Sequence, residues 1–146
     1  DDGLLADIRS GLPKDYLVFV CDFDKKKKSL GIIKSADKFS IIKIMQTNGE
    51  NNKITNARLL NELKSLDKKQ PFSITGAGYD WLELVFDALP ESGGSAEGIR
   101  FINDKVAELC LPQDNPAEYR ERLEEELRTT NSIFLWWPVK QESGEK

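Results

Sequence analysis

The sequence contains no histidine in its 146 residues. Histidine is the commonest general base, the usual zinc ligand and the partner of serine or cysteine in nucleophile pairs. Its absence excludes those chemistries and leaves carboxylates or a thiol as the groups that a reaction would have to use. We therefore expect no cofactor and no metal site, and the composition favours binding over catalysis.

Cysteine is also scarce, since the chain carries only Cys21 and Cys110. Two cysteines cannot build a disulfide framework, and each lies in an apolar context typical of a buried structural thiol. We expect the two thiols to stay unbridged.

Long apolar runs are missing as well. No stretch approaches the roughly 20 residues required to span a bilayer, so we expect no membrane role. The first twelve residues carry three aspartates where a signal peptide would carry positive charge, and their leucines and isoleucine predict an amphipathic helix over residues 1–12. Cytoplasm is the expected location, although the missing initiator methionine leaves a removed leader open.

Basic residues are sparse in the second half of the chain. Residues 1–70 hold 14 basic and 10 acidic side chains, whereas residues 71–146 hold 7 basic and 15 acidic ones. An acidic chain without a basic stripe is a poor nucleic-acid binder, because phosphate contacts supply most of that affinity. We interpret the lysine cluster at residues 25–28 as a solvated hairpin tip that discourages edge pairing.

Hydrophobic periodicity predicts both strands and helices. Apolar residues at helical spacing, with caps at Thr55 or Asn56, at Ser95 and at Asn115, predict three helices after the N-terminal one. These helices end before Pro71, at Leu109 and near residue 128. Runs rich in β-branched and aromatic residues predict strands over residues 16–23, 29–35, 39–45, 72–75, 79–86 and 132–139.

The order of these elements predicts an α+β fold. From the third strand onward the order is that of a ferredoxin-like βαββαβ layer with one additional helix, preceded by an N-terminal β-hairpin extension. We expect a single domain over residues 1–140 and a disordered tail over residues 141–146. Several strands are apolar on both faces, so the second face of the sheet should be covered by the N-terminal segment or by another subunit.

Two short motifs invite a catalytic or ligand-binding interpretation. Gly76 and Gly78 have the G-x-G spacing of a phosphate loop, but the third glycine and the following helix are missing, so a tight hairpin turn is favoured. Asp22 and Asp24 form a D-x-D pair, a pattern that can hold a divalent cation. Surface pairing with the neighbouring lysines is the simpler interpretation.

Aromatic and acidic side chains near two strands are the candidate binding residues. Strand periodicity sends Asp80 and Glu83 to opposite faces, flanking Trp81, so they are not a paired acid and base. It also separates Trp136, on the face of Phe134, from Trp137 on the face of Ile133 and Leu135. One tryptophan should be in the core and the other at a cleft or interface. The predicted binding residues are Asp80, Trp81, Glu83, Trp136 and Trp137.

The order of several segments resembles a bacterial family of unknown function, number four-two-five-three. The segments are the helix from Asn51, ITGAGYDWLELVF, a helix reaching Leu109–Cys110, and LEEELRTTNSIFLWW; together they cover roughly residues 39–137. Three positions depart from the family pattern. Ser65–Asp67 replaces a tryptophan segment, Leu111–Pro112 follows Cys110 in place of Pro-Asp, and Pro138 follows Trp137 in place of an acid. Two acidic positions are thus missing, which disfavours catalysis.

Three functions remain open from the sequence. The first is a small non-catalytic binding or interaction domain that binds a protein partner or forms a homodimer. The second is an immunity-like inhibitor of a toxin, with Glu121, Glu124 and Glu125 of the acidic last helix as the partner patch. The third is a histidine-independent enzyme that uses Asp22, Asp80, Glu83 or Cys110 near Trp81.

Overall fold

The computed structural model describes residues 2–24, 27–50, 53–87, 93–110 and 115–137. The described elements are five helices and five strands. The helices are α1 Asp2–Gly11, α2 Phe39–Met45, α3 Asn56–Lys69, α4 Gly93–Leu109 and α5 Pro116–Thr130. The strands are β1 Tyr16–Asp24, β2 Lys27–Lys34, β3 Phe72–Ala77, β4 Trp81–Phe86 and β5 Ser132–Trp136. The α+β fold class is confirmed.

The five strands form one mixed sheet in the order β2-β1-β3-β4-β5. β1 and β2 form an antiparallel hairpin, and β1 pairs with β3 in parallel. β3, β4 and β5 then run as an antiparallel succession. The carboxyl ends of β1 and β3 therefore lie at the same edge of the sheet as the β3–β4 turn.

Four helices cover one face of the sheet, which we call the inner face. A single buried cluster joins the inner side chains of the sheet to the apolar stripes of α2, α3, α4 and α5. Leu63 of α3, Ile102 of α4 and Leu127 of α5 are fully buried in it. Burial of this kind of surface at about 25 cal/mol per Å² is the main force that holds such a fold together.

The opposite, outer face is covered in part by α1. Leu5 of α1 and Val18 of β1 are buried but lie outside the inner cluster. The Arg9 guanidinium donates hydrogen bonds across the face to the carbonyls of Val18 and Ile74, at 3.5 and 3.3 Å. The N-terminal segment thus covers part of the second face, which was one of the two predicted alternatives, and it leaves Phe134 and Trp136 of β5 exposed.

The predicted third strand over residues 39–45 is wrong, because these residues form α2. Phe39, Ile42 and Met45 recur at helical spacing and are buried, while Lys43 and Ile44 point to solvent. A short apolar run of this kind fits a strand or a buried helix equally well by periodicity alone. Without that strand the ferredoxin-like detail is not confirmed.

Smaller corrections concern the ends of elements. The glycine turn was expected at residues 76–78, but Gly76 and Ala77 belong to β3 and the turn lies between Gly78 and Trp81. Ser95 was expected to cap its helix, but α4 begins two residues earlier. Lys25 and Lys26 of the predicted lysine tip and the whole predicted tail, residues 141–146, lie outside the described residues, whereas Lys27 and Lys28 belong to β2.

Two helix caps are confirmed. The Thr55 side chain accepts a hydrogen bond from the Arg58 N–H and caps α3. The Asn115 side chain accepts one from the Glu118 N–H, and Pro116 opens α5 as the sequence indicates. Within the described residues no helix is both long and apolar enough to cross a membrane.

Ile42 and Ile44 distinguish the helix from the predicted strand. In a strand they would share one face, whereas in α2 Ile42 is 0% exposed and Ile44 is 54% exposed. We expect Ile42→Ala to lower the free energy of unfolding by about 2–5 kcal/mol and Ile44→Ala to change it by less than about 0.5 kcal/mol. Urea unfolding of the two variants measures both values, and equal losses would contradict the helix.

Candidate functional site

The β3–β4 turn, residues 78–81, is bound by two other parts of the chain. The Thr47 hydroxyl donates to the Gly78 carbonyl at 2.7 Å, and the Asn48 N–H donates to the Tyr79 carbonyl at 2.9 Å. The Trp137 N–H donates to the Asp80 carbonyl at 2.9 Å. Three consecutive carbonyls of the turn thus hold the segment after α2 and the end of β5 against the sheet.

Trp137 is fixed at this edge by its ring as well as by its backbone. Its indole N–H donates to the Leu109 carbonyl at the end of α4, at 2.7 Å. The ring lies so close to Gly49 that a Cβ there would be 2.5 Å from it. With 1% of its surface exposed, Trp137 belongs to the inner core.

Trp81 lies against the two glycines of the GAG segment on the outer face. A Cβ on Gly76 would come within 2.8 Å of the indole, and a Cβ on Gly78 within 2.0 Å of its nitrogen. The indole N–H donates to the Asp22 carboxylate at 2.9 Å. The glycines are therefore required for close approach of an aromatic ring, rather than to cradle a phosphate.

Trp81 carries a second aromatic layer. Phe134 stacks on it with ring centroids 5.5 Å apart and planes 18° from parallel, and Trp136 lies directly opposite Trp81 in the strand register. Trp81 is 7% exposed, whereas Phe134 and Trp136 are 44% and 57% exposed. We call Trp81, Phe134 and Trp136 the aromatic patch.

Glu83 adjoins the aromatic patch. It lies opposite Phe134 and accepts a hydrogen bond from the Thr75 hydroxyl at 2.7 Å. Glu83 thus holds one carboxylate beside Phe134 on the outer face.

A cleft of about 530 Å³ separates α1 from the strands beside the patch. It is lined by Leu5, Ala6, Arg9 and Ser10 of α1 and by Thr75 and Val85 of the sheet. The cleft marks the limit of the cover that α1 provides on the outer face.

The two cysteines are buried and unbridged, as the sequence predicted. The Cys110 thiol donates to the Trp136 carbonyl at 3.0 Å, and burial raises its pKa. A thiol with a raised pKa is a poor nucleophile. Among the described residues no three acidic or cysteine side chains gather as metal ligands would.

The family model described as Domain of unknown function (DUF4253) matches residues 29–138. The chain belongs to this family. No curated protein and no solved structure matches the chain.

The family segments recognised in the sequence meet at one edge of the DUF4253 fold. The GAGYDW turn, the Leu109–Cys110 helix end and the Trp136–Trp137 strand end are joined by the hydrogen bonds described above. In the described part of the chain, these hydrogen bonds give the family segments a structural role. Two of the departures from the family pattern, Leu111–Pro112 and Pro138, lie outside the described residues.

The DUF4253 structure brings three of the five predicted binding residues together. Trp81, Glu83 and Trp136 share the outer face, whereas Trp137 is in the core and the Asp80 carbonyl is bound within the turn. Of the predicted partner patch, Glu121 and Glu125 are exposed and Glu124 pairs with Arg128 at 2.9 Å. Sequence reasoning placed Phe134 beside Trp136 but missed its stacking on Trp81.

Gly78 provides a direct test of the packing beneath the aromatic patch. We expect Gly78→Ala to lower the free energy of unfolding by about 1–3 kcal/mol, because the added Cβ forces the Trp81 indole away from Asp22. Urea unfolding, monitored by tryptophan fluorescence, measures this loss in the free energy of unfolding. Gly11→Ala is the matched control, since nothing lies within 4 Å of its Cβ, and its effect should stay below about 0.5 kcal/mol. Equal stability of the two variants would contradict the described packing.

Proposed function

We propose that this DUF4253 chain is a non-catalytic protein-binding domain and that the aromatic patch is its binding surface. The observation that carries the proposal is the exposure of Trp136 and Phe134 side by side on a sheet face that α1 leaves open. Tryptophan is enriched among the residues that contribute most to protein–protein binding. Large exposed apolar patches of soluble proteins commonly mark interaction sites.

The support beneath the patch favours binding to a preformed surface. Trp81 is held by the two glycines, by Asp22 and by the stacked Phe134 ring. Both strands that carry the patch are tied to the β3–β4 turn through the Asp80–Trp137 hydrogen bond. A rigid surface loses little conformational entropy when a partner binds.

The placement of the reactive groups disfavours the enzyme alternative. Asp22 accepts the Trp81 indole N–H, and Glu83 accepts the Thr75 hydroxyl. The Cys110 thiol is buried against the Trp136 carbonyl. Three of the four groups that could replace histidine in catalysis, Asp22, Glu83 and Cys110, are thus engaged in holding the fold or the patch.

Selection from a randomised peptide display library tests the proposal. We expect the immobilised chain to enrich peptides of micromolar affinity, and Trp136→Ala to weaken them at least about tenfold, because it removes a central aromatic contact. Isothermal titration calorimetry measures the affinities.

Ile44→Ala is the matched control for Trp136→Ala. Ile44 is about as exposed as Trp136, 54% against 57%, but lies on α2, on the other side of the sheet. Its removal should leave peptide affinity unchanged. Failure to enrich any peptide, or peptides that bind equally well without Trp136, would contradict the proposal.

A second candidate is the immunity-like inhibitor of a toxin. The observation in its favour is the acidic surface of α5, where Glu121 and Glu125 are exposed and, within the described residues, form no ion pair. Acidic patches of this kind accelerate association with a basic protein electrostatically.

The inhibitor candidate is tested through the neighbouring gene. We expect that gene to encode a basic toxin whose activity is lost on co-expression with this chain. Reversal of Glu121, Glu124 and Glu125 to lysine should slow association and restore toxicity, while reversal of Glu97 and Glu108 on α4 should not. A neighbourhood without a toxin gene, or inhibition that survives the reversal, would exclude this candidate.

A further inference from the structure

The cleft between α1 and the sheet is lined by one charged side chain, that of Arg9. A single nitrogen of its guanidinium, Nη2, donates to the carbonyls of Val18 on β1 and Ile74 on β3. These two bonds hold the group across the outer face. The other N–H groups, on Nε and Nη1, donate to no atom of the residues that the structure describes. The guanidinium is thus fixed in place while part of its binding capacity stays unused.

No acid of the described ranges neutralises Arg9. The ion pairs found there use other cations, namely Lys38, Lys105, Arg120 and Arg128. Arg9 is exposed, so a solute can reach it. Burial nevertheless lowers the pKa of Arg9, because the guanidinium has lost part of its hydration at the cleft wall. A cation with reduced hydration and without a counter-ion favours binding of an anion.

The hydroxyl groups of the cleft have already used their protons. Ser10 donates to the Asp7 carbonyl at 2.9 Å. Thr75 is only 7% exposed, and its hydroxyl donates to the Glu83 carboxylate at 2.7 Å. Among the lining side chains, Arg9 is therefore the donor that is left for a ligand.

The remaining lining of the cleft is apolar. It consists of Leu5, Ala6 and Val85. The volume of about 530 Å³ lies within the range of about 300–1,000 Å³ that is usual for small-molecule sites. Such sites commonly combine apolar walls with a few fixed polar groups that orient the ligand. The composition of the cleft therefore suits a ligand with an apolar body and one polar head group.

The charges at the cleft favour a head group with a single negative charge. Arg9 can neutralise one such charge through charge-assisted hydrogen bonds. A second negative charge would have no cation among the lining side chains. It would also be repelled by Glu83, which is bound to Thr75 at the cleft. A carboxylate meets these conditions better than a phosphate monoester does.

We propose that the cleft binds a small carboxylic acid with an apolar body. The carboxylate accepts hydrogen bonds from the unused N–H groups of Arg9, and the apolar body lies between Leu5 of α1 and Val85 of β4. This site is separate from the aromatic patch. The inference therefore does not depend on the proposed protein-binding function.

Octanoate, octanamide and octyl phosphate test the inference, because they share an apolar chain and differ in the charge of the head group. We expect octanoate to bind at least about tenfold more tightly than the neutral octanamide, and octyl phosphate to bind no better than octanoate. Titration followed by two-dimensional amide NMR measures the affinities. Shifted signals of the cleft residues Leu5, Ala6, Ser10, Thr75 and Val85 locate the ligand.

Two variants test the two halves of the site. Arg9→Gln removes the charge but keeps an amide donor for the Val18 and Ile74 carbonyls, and it should make octanoate and octanamide bind equally. Val85→Phe fills the cleft from the sheet while Arg9 is kept, and it should lower octanoate affinity at least about tenfold. Arg58→Gln is the matched control, because it removes the same charge from an exposed position on α3. The amide spectra show whether each variant is folded.

Several results would overturn the carboxylate site. These are equal binding of octanoate and octanamide to the wild-type chain, octanoate affinity that survives Arg9→Gln, and shifts confined to Phe134 and Trp136. Absence of any shift at about 10 mM octanoate or tighter binding of octyl phosphate would overturn it as well. None of these results affects the aromatic patch, which is tested separately through peptide binding and Trp136→Ala.

Discussion

The rest of the structure depends on hydrogen bonds to three backbone carbonyls of the Gly78–Trp81 turn, those of Gly78, Tyr79 and Asp80. Each accepts a hydrogen bond from elsewhere in the chain: Thr47, Asn48 or Trp137. Backbone carbonyls need partners, and a turn whose partners come from distant segments fixes those segments together. The turn thereby sets the position of the loop before α3, of the end of β5 and, through the Trp137 indole, of the end of α4.

The same turn places the adjacent residues Trp136 and Trp137 in different environments. The backbone bond from Trp137 to Asp80 fixes the register of β5 on β4, and strand alternation then sends the Trp137 ring inward and the Trp136 ring outward. Glycine is required on both sides of the sheet for this arrangement. Gly49 admits the Trp137 ring, and Gly76 and Gly78 admit the Trp81 ring that supports the patch.

Local patterns of the sequence were sufficient to predict the parts of the fold that depend on neighbours in the chain. The caps at Thr55 and Asn115 and the division of Trp136 from Trp137 depend on such patterns. The run at residues 39–45 was wrongly predicted as a strand, because its periodicity fits a strand or a buried helix and packing on α3 and the sheet decides between them. Strand register is likewise non-local, so the Trp81–Phe134 stack could not be predicted.

The edge of β5 indicates how a partner would approach the patch. The bonds from Trp137 to Asp80 and from Phe86 to Asn131 mean that the backbone groups of Phe134 and Trp136 point away from β4, toward the free edge. On this edge the Cys110 thiol donates to the Trp136 carbonyl. An edge carbonyl that already has a partner opposes the pairing of another strand. A partner is therefore expected to bind through side chains over the outer face.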